Sequence, residues 1–341
     1  MLFGPGIQKL REYRPKKGWR GPLLVSIIGG VVLLIGGLLL YAQYFGPADI
    51  SGETVEFIVK PDATVFEVTR ELRRAGFVKS TTAFSIAFHI YDNGRGIQEG
   101  GYKLSSSMDT LSIAKALASP PYLAWVTFPN GWRKEQIADL LVRKLGWSDA
   151  ERAHWLEVDT APSPDFVEGV YYGDTYLIPT DQSPAYVAAR LRGRFQDVFA
   201  DYAKEAAARN IPWTDVLTLA SLIEREAAKN DKHVVSGILW NRLHKGMALQ
   251  VDATLQYMRG EKGNWWPVPT PADKKIDSPF NTYKYPGLPP HPIANPSLDS
   301  IDAALHPEKT NCIYYLHDND GTIHCSATYA GQVKNVNRYL K

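Results

Sequence analysis

The sequence of 341 residues is poor in cysteine, with only Cys312 and Cys325. Their spacing matches no zinc-binding pattern, so we predict no metal site and no cofactor. It also lacks internal repeats and low-complexity tracts, which argues against a solenoid or a disordered chain. Since 45% of the residues are hydrophobic and 22% are charged, the composition is that of a globular protein with room for two modest domains.

A surplus of charge of one sign is also missing, because the formal net charge is only +2. The charge is unevenly placed. Residues 1–22 contain six basic side chains and one acidic side chain, and the rest of the chain has 32 basic and 35 acidic residues. A mildly acidic body has no basic surface for nucleic acid, so we predict no nucleic-acid partner.

One long hydrophobic run is present, at residues 23–42, and it contains no charged residue. About 20 apolar residues in a helix cross a hydrocarbon core of roughly 30 Å. We therefore predict a transmembrane helix over 23–43, with the basic tail 1–22 in the cytoplasm and the rest of the chain outside. The alternative is a cleaved signal peptide, but the exit at residues 40–44 is a poor cleavage site.

A small α+β unit is predicted at residues 52–119. Asp109 can cap its last helix, and the Ser-Pro-Pro run at 119–121 marks its end. The patterns of apolar residues predict a strand over 54–59, helices over 64–75 and 82–91, a strand over 102–104 and a helix over 109–117.

A larger α+β unit is predicted at residues 122–341, so the fold class of the exported part is α+β. Its first half is predicted to contain a strand over 125–128, a helix over 133–145, irregular connections over 147–183 and a long helix over 185–209. Near the C-terminus, the run Asp-Asn-Asp-Gly at 318–321 predicts a hairpin that brings the two cysteines near each other. A disulfide and two free thiols both remain open, because the register of the hairpin decides between them.

A helix predicted over residues 214–229, with Thr214 as its cap, bears the most informative side chains. On a helical wheel, Glu224 and Glu226 both fall within a broad apolar arc, on opposite flanks. Burial disfavours an ionised carboxyl group and raises its pKa, which suits a general acid near neutral pH. The alternative is a structural glutamate that pairs with an arginine such as Arg242.

Polar and aromatic side chains that follow this helix suggest a sugar site. Residues 249–254 alternate as in a strand, which would place Gln250, Asp252 and Thr254 on one face. An amide, a carboxylate and a hydroxyl suit a sugar, although a solvated strand face has the same pattern. The proline-rich stretch 286–293 could wall a groove. Candidates for stacking on sugar rings, or simply for core packing, are Trp265, Trp266, Tyr283 and Tyr285.

At these residues the chain resembles the endolytic murein transglycosylase family (MltG, or YceG-like). The matching pieces are residues 219–226 (LASLIERE), 241–243 (NRL), 249–252 (LQVD), 281–283 (NTY), 287–290 (GLPP), 128–132 (FPNGW), 168–169 (EG) and 174–176 (DTY). The chain departs from the pattern of related lytic transglycosylases at Ala227, where Ser or Thr often follows the catalytic glutamate. It also has Cys325 after His324, where an aromatic residue is more common.

The resemblance implies an inner-membrane lyase that cleaves the MurNAc–GlcNAc bond within nascent glycan strands and leaves a 1,6-anhydroMurNAc end. The catalytic domain would lie in the periplasm, the unit at 52–119 would be LysM-like, and membrane peptidoglycan synthases would be partners. Glu226 would be the catalytic residue. The residues expected to bind substrate are Glu224, Gln250, Asp252, Thr254, Asn281 and Tyr283.

Two rival functions fit the same residues. One is a glycoside hydrolase, with Glu226 as acid and Asp252 or Glu224 as base. The other is a non-catalytic peptidoglycan-binding or division scaffold protein, for which the small unit would suffice.

Overall fold

The computed structural model describes residues 20–161, 166–228 and 230–340. Most of the predicted basic tail 1–22 therefore lies outside the described residues. The chain divides into two compact units between Pro120 and Pro121. Each unit has its own cluster of buried hydrophobic side chains and combines helices with strands, so the α+β class is confirmed.

The first helix, α1 (Arg20–Tyr44), contains the long hydrophobic run. Its segment Leu24–Tyr44 is long and apolar enough to cross a membrane, and its apolar side chains are exposed. Exposed Leu, Val and Ile side chains along a whole helix are costly in water, so this helix is suited to a single-pass anchor.

The first unit continues in the order strand, helix, helix, strand, helix. The elements are β1 (Thr54–Val59), α2 (Val65–Arg74), α3 (Thr81–Tyr91), β2 (Gly100–Ser105) and α4 (Thr110–Leu117). All five were predicted. The strands β1 and β2 pair antiparallel, from Thr54 opposite Ser105 to Val59 opposite Gly100. Asp109 caps α4 as expected, accepting a hydrogen bond from Ser112 N at 2.8 Å.

Several hydrogen bonds hold the end of α1 to this unit. The Tyr41 hydroxyl donates to Asp109 Oδ2 at 3.0 Å, and Lys79 Nζ donates to the carbonyl oxygen of Ala42 at 3.0 Å. In addition, the backbone N–H of Thr110 donates to the carbonyl oxygen of Phe45 at 2.8 Å. The unit therefore begins directly at the end of the apolar helix.

The second unit is mainly helical. Its elements are β3 (Leu123–Thr127), α5 (Lys134–Leu145), α6 (Asp149–His154), β4 (Thr175–Pro179), α7 (Pro184–Ala208), α8 (Trp213–Glu226), α9 (Lys232–His244), α10 (Asp252–Arg259), α11 (Leu298–Leu305), β5 (Tyr314–His317), β6 (Ile323–Ser326) and α12 (Tyr329–Tyr339). The strands β3 and β4 pair antiparallel. The prediction of irregular connections over 147–183 is wrong in part, because α6, a π-helical turn (Trp155–Asp159) and β4 lie there.

Helix α8 lies in the middle of the second unit. It packs against α7, α9, α10 and α11, and every residue from Val216 to Ile223 is buried. The predicted cap Thr214 is wrong. Pro212 occupies the N-cap position, where its fixed φ of −56° leads into the helix without a capping side chain. The helix ends at Glu226, so its last turn brings the glutamates out of the core.

The predicted strand over 249–254 is also wrong. Leu249 and Val251 are buried, as alternation requires, but Gln250 has a left-handed φ of +53° that turns the chain. Helix α10 then starts at Asp252. Gln250 and Asp252 are consequently exposed while Thr254 is buried, so the three side chains do not share a face.

The predicted hairpin near the C-terminus is confirmed as β5 and β6, which pair with Tyr315 opposite Cys325 and His317 opposite Ile323. Cys312 lies just before β5 and forms a disulfide with Cys325, with the Cα atoms 5.8 Å apart. The disulfide thus closes the hairpin at the end away from the turn.

Candidate active site

Glu226 occupies the last position of α8, where the helix leaves the core. Its side chain is partly buried and accepts two hydrogen bonds. Oε1 accepts from the backbone N–H of Ala253 in the first turn of α10, at 3.3 Å. Oε2 accepts from the Tyr315 hydroxyl on β5, at 2.9 Å. Three separate elements therefore fix the position of this carboxyl group.

Burial raises the pKa of Glu226 above its ordinary value. The hydrogen bonds from Tyr315 and Ala253 act in the opposite direction, and the nearby negative charge of Asp252 adds to the rise. The net effect is a carboxyl group that keeps its proton to a higher pH than an exposed glutamate. Such a group suits a general acid.

The alternative role considered for Glu226 was an ion pair with Arg242, but the hydrogen bonds of Arg242 go to other groups. Arg242 Nε donates to the carbonyl oxygen of Ile313 at 2.6 Å, and Nη1 donates to the carbonyl oxygen of Leu249. The guanidinium therefore ties β5 and the chain before α10 to α9, and its hydrogen bonds do not neutralise Glu226.

Glu224 is held differently, although it lies only two residues away. Its Oε2 accepts from Lys232 Nζ at 3.1 Å, from Ser297 N at 3.0 Å, and from the hydroxyls of Ser297 and Ser300 at 2.5 Å each. Burial alone would raise the pKa of Glu224, but these donors outweigh burial and lower it. The Glu224 carboxylate therefore links α8 to α9 and to the start of α11 through hydrogen bonds.

Asp252 and Tyr283 lie beside the catalytic candidate. The Tyr283 hydroxyl donates to Asp252 Oδ1 at 2.6 Å, and Lys274 Nζ lies 4.4 Å from the centroid of the Tyr283 ring. Asp252 is exposed and directly precedes Ala253, which donates to Glu226. The exposed Gln250 is two residues earlier, and its N–H donates to the carbonyl oxygen of Thr282 at 3.0 Å. Asp252 and Tyr283, two of the predicted substrate-binding residues, therefore lie near Glu226, and Gln250 lies on the turn that leads into α10.

Thr254 and Asn281 are fully buried and do not reach a solvent-accessible surface. Asn281 Nδ2 donates to the carbonyl oxygen of Ile276 at 2.8 Å, and its Oδ1 accepts from Tyr283 N at 3.0 Å. Thr254 Oγ1 donates to the carbonyl oxygen of Val251 at 2.7 Å. The polar groups of these two side chains bond to the protein and shape the loops of the site, so their contact with a sugar stays a prediction.

Two aromatic residues considered for sugar stacking pack against arginines. The Arg225 guanidinium lies 4.0 Å from the centroid of the Trp266 ring, and the Arg133 guanidinium lies 5.1 Å from that of Trp265. The indole nitrogens donate to Gln136 and to Asp139, respectively. Packing, the alternative considered for these tryptophans, accounts for their contacts.

A pocket of about 700 Å³ lies elsewhere in the second unit. It is bordered by α9, the end of α11 and residues 307–311, and none of the predicted site residues lines it.

Reasoning from the sequence missed Tyr315, His317 and Thr282. The first two are separated by one residue on β5, and His317 Nε2 lies 2.7 Å from Asp231 Oδ2. Thr282 Oγ1 accepts from Val251 N at 3.0 Å and so fixes the turn before α10. The signal in the sequence was the two-residue spacing of Tyr315 and His317 just before the predicted hairpin turn, which places both side chains on one face of a strand.

Comparison with known proteins decides the family. A sequence model described as the YceG-like family matches residues 57–338. The chain belongs to the YceG-like family. The resemblance noted in the sequence motifs is thereby confirmed, and most of the chain is covered.

Relatives of known name cover most of the chain. The endolytic murein transglycosylase of Bacillus subtilis (strain 168) is 29% identical over 333 residues, which cover 90% of this chain and 91% of the relative. The protein of the same name from Streptococcus pneumoniae (strain D39) is 26% identical over 354 residues, which cover 90% of this chain and 64% of the relative. The match to the first relative is thus close to full length on both sides.

The fold is also similar to a solved structure. The crystal structure of a yceG-like protein from Listeria monocytogenes aligns with a TM-score of 0.57 and 27% sequence identity. The alignment covers 83% of this chain and 99% of the Listeria chain. Nearly all of that protein is therefore represented here.

Proposed function

We propose that this protein is an endolytic peptidoglycan lytic transglycosylase and that Glu226 is its catalytic acid and base. The observation that carries the proposal is the environment of Glu226. One carboxyl group, with a raised pKa, is held by Ala253 and Tyr315 at the end of a buried helix and beside exposed polar residues. Membership of the YceG-like family and relatives named endolytic murein transglycosylase support the same reaction.

In the proposed reaction, protonated Glu226 donates its proton to the glycosidic oxygen between MurNAc and GlcNAc as the C1–O bond breaks. The resulting carboxylate accepts the proton of the MurNAc C6 hydroxyl. The C6 oxygen then bonds to C1 and closes the 1,6-anhydro ring, which returns Glu226 to its protonated form. No water is consumed, and intramolecular attack has a large entropic advantage.

The state of the neighbouring carboxylates favours this one-carboxyl reaction. Most glycosidases need a second carboxylate to activate water or to form a covalent intermediate. Glu224 already accepts hydrogen bonds from one ammonium, one backbone N–H and two hydroxyls, and Asp252 accepts from Tyr283. We propose that Asp252, Gln250 and Tyr283 instead hold the sugars next to Glu226.

The location follows from the anchor. We propose that α1 spans the inner membrane with the basic N-terminus in the cytoplasm, so that both units lie in the periplasm. The first unit, which begins where α1 ends, would act as a LysM-like glycan-binding subdomain. Cleavage of nascent strands there would terminate their elongation, and membrane peptidoglycan synthases would be the neighbours that supply them.

Analysis of the reaction products tests the function. The full chain, purified in detergent, is incubated with uncrosslinked glycan strands, and the new ends are identified by mass spectrometry. We expect 1,6-anhydroMurNAc ends located inside former strands. Reducing ends, which contain one more water, would identify a hydrolase, and unchanged strands would favour the scaffold function.

A further inference from the structure

The hairpin of β5 and β6 brings two side chains to the end of α8. Tyr315 and His317 are two residues apart on β5, so their side chains leave the same face, and their ring centroids are 6.0 Å apart. The Tyr315 hydroxyl reaches Glu226 Oε2, and His317 reaches Asp231 just before α9. The hairpin therefore completes a site whose other parts come from α8 and α10.

The hairpin is attached at several points. Gln332 Nε2, on α12, donates to the carbonyl oxygen of Tyr315 at 2.9 Å. On the partner strand, Cys325 lies directly opposite Tyr315 and is tied to Cys312 by the disulfide. Because the backbone at Tyr315 is attached on both sides, the phenol has little freedom to move away from Glu226.

The Tyr315 phenol is a persistent donor. Burial raises its pKa well above the ordinary tyrosine value, and the adjacent Glu226 charge adds to the rise. An ordinary tyrosine is already protonated at neutral pH, so a raised pKa leaves the Tyr315 hydroxyl as a donor there. Its hydrogen bond is stronger to the carboxylate than to the neutral acid, because charge-assisted hydrogen bonds are about twice as strong as neutral ones.

We infer that Tyr315 is a positioning residue that holds Glu226 toward the substrate and stabilises the carboxylate formed when Glu226 gives up its proton. This inference rests on the proposed function, in which Glu226 is the acid. A hydrogen bond that strengthens as the carboxylate develops lowers the barrier more than it stabilises the resting enzyme. Tyr315 would thus contribute to kcat and would hardly affect substrate binding.

The pH profile can report this contact, because it follows the protonation of Glu226. Other groups also influence that carboxyl. The titratable or charged side chains that act on Glu226 are Arg225 on α8, Arg242 on α9, Asp252 on α10, Tyr283 in the following loop, and Tyr315 and His317 on β5. A substitution that removes the Tyr315 hydroxyl alone leaves all the others in place.

The experiment compares the full chain with Tyr315→Phe, Tyr314→Phe and Glu226→Gln, using uncrosslinked glycan strands. Tyr314 is the matched control, since it is the preceding residue on β5 and its ring faces Tyr329 and Arg242. For Tyr315→Phe we expect kcat to fall by about 10- to 100-fold, the worth of a hydrogen bond to a charged group, with KM within about twofold. The alkaline limb of the profile should move to higher pH, because the pKa of Glu226 rises without this donor. Tyr314→Phe should behave as the wild type.

A ring-fluorinated tyrosine inserted at position 315 tests the same contact without removing it. Its more acidic phenol is a stronger donor, so the alkaline limb should move to lower pH, opposite to the shift in Tyr315→Phe. If Tyr315→Phe does not fold, the pH profile of the fluorotyrosine variant alone tests the role of Tyr315.

The outcomes separate the two proposals. Unchanged profiles in both Tyr315 variants, or an equal loss of activity in Tyr314→Phe, overturn the role of Tyr315 while Glu226→Gln remains inactive. Full activity in Glu226→Gln overturns the proposed function itself, and the role of Tyr315 with it.

Discussion

Glu224 and Glu226 lie two residues apart on α8, yet their surroundings change their pKa values in opposite directions. The Lys232 ammonium and the hydroxyls of Ser297 and Ser300 lower the pKa of Glu224, whereas burial raises the pKa of Glu226. Two carboxyl groups whose environments separate their pKa values have different tasks. Here the first stabilises the fold and the second is available for chemistry.

This difference predicts contrasting effects of two matched substitutions. Glu224→Gln removes the charge that four donors share, so the free energy of unfolding should fall by about 1–3 kcal/mol. Because the folded state raises the pKa of Glu226, ionisation of this carboxyl costs folding stability at alkaline pH. Glu226→Gln removes that cost, so the Tm of this variant near pH 8 should equal or exceed that of the wild type. Thermal unfolding of both variants checks this prediction. A Glu226→Gln protein less stable than Glu224→Gln would contradict it.

Glu168 predicts a pH dependence of stability. This fully buried carboxyl accepts hydrogen bonds from Lys134 N and Asn295 Nδ2 at 3.0 Å, and burial together with the nearby Glu135 carboxylate raises its pKa to about 8. A folded pKa above the unfolded value means that the folded state binds the extra proton. The stabilisation is complete below the ordinary glutamate pKa and is lost as the pH rises to about 8.

Urea unfolding between pH 5 and pH 9 measures this effect. The wild type should lose stability across the range, and Glu168→Gln, which resembles the protonated form, should lose less. Parallel curves for the two proteins would show that Glu168 does not cause the dependence.

The disulfide predicts a sensitivity to reduction. A bridge that closes a loop of about 15 residues stabilises a protein by about 3 kcal/mol, and this one also anchors the hairpin with Tyr315. Dithiothreitol should lower both the Tm and the glycan-cleaving activity of the wild type. The double variant Cys312→Ala, Cys325→Ala should start from those lower values and should not respond to the reductant. If dithiothreitol also lowered the activity of this variant, the effect of the reductant would not come from the disulfide.

Gln250 predicts a substitution that separates stability from binding. Its left-handed backbone costs about 1–2 kcal/mol for a non-glycine residue, so Gln250→Gly should stabilise the fold by about 1 kcal/mol. If Gln250 contacts the sugar, the KM of the same variant should rise. Gln256→Gly, in the middle of α10, is the matched control and should lose about 1 kcal/mol of stability. A destabilised Gln250→Gly protein would refute the strain at position 250.

Several elements could be predicted from local sequence alone. The capping signal Asp109 marks a real helix start, and the periodicity of residues 214–229 predicts a helix that is present as α8, with Glu226 at its end. These features depend on residues within one or two turns of each other. Their physical causes, hydrogen bonding at the first turn and burial of apolar residues at helical spacing, can be evaluated from a short window.

The parts that were not predictable depend on distant contacts. The alternating run at 249–254 becomes a turn and a helix because Val251 N and Gln250 N bond to Thr282, about 30 residues away. The partner of Glu226, Tyr315, is 89 residues further along the chain. A pattern within either segment contains no information on these long-range pairings. The wrong strand prediction at 249–254 and the unpredicted contact of Tyr315 with Glu226 therefore have the same cause.

The role of Glu226 as proton donor is tested by the rate at which Glu226→Gln forms anhydro ends on uncrosslinked glycan strands, relative to the wild type and to Glu224→Gln. With the proton donor gone, we expect a loss of several orders of magnitude in Glu226→Gln, in a protein that melts no lower than the wild type. Glu224→Gln should keep a larger share of the activity. A Glu226→Gln protein that cleaves strands at the wild-type rate would show that Glu226 is not the proton donor.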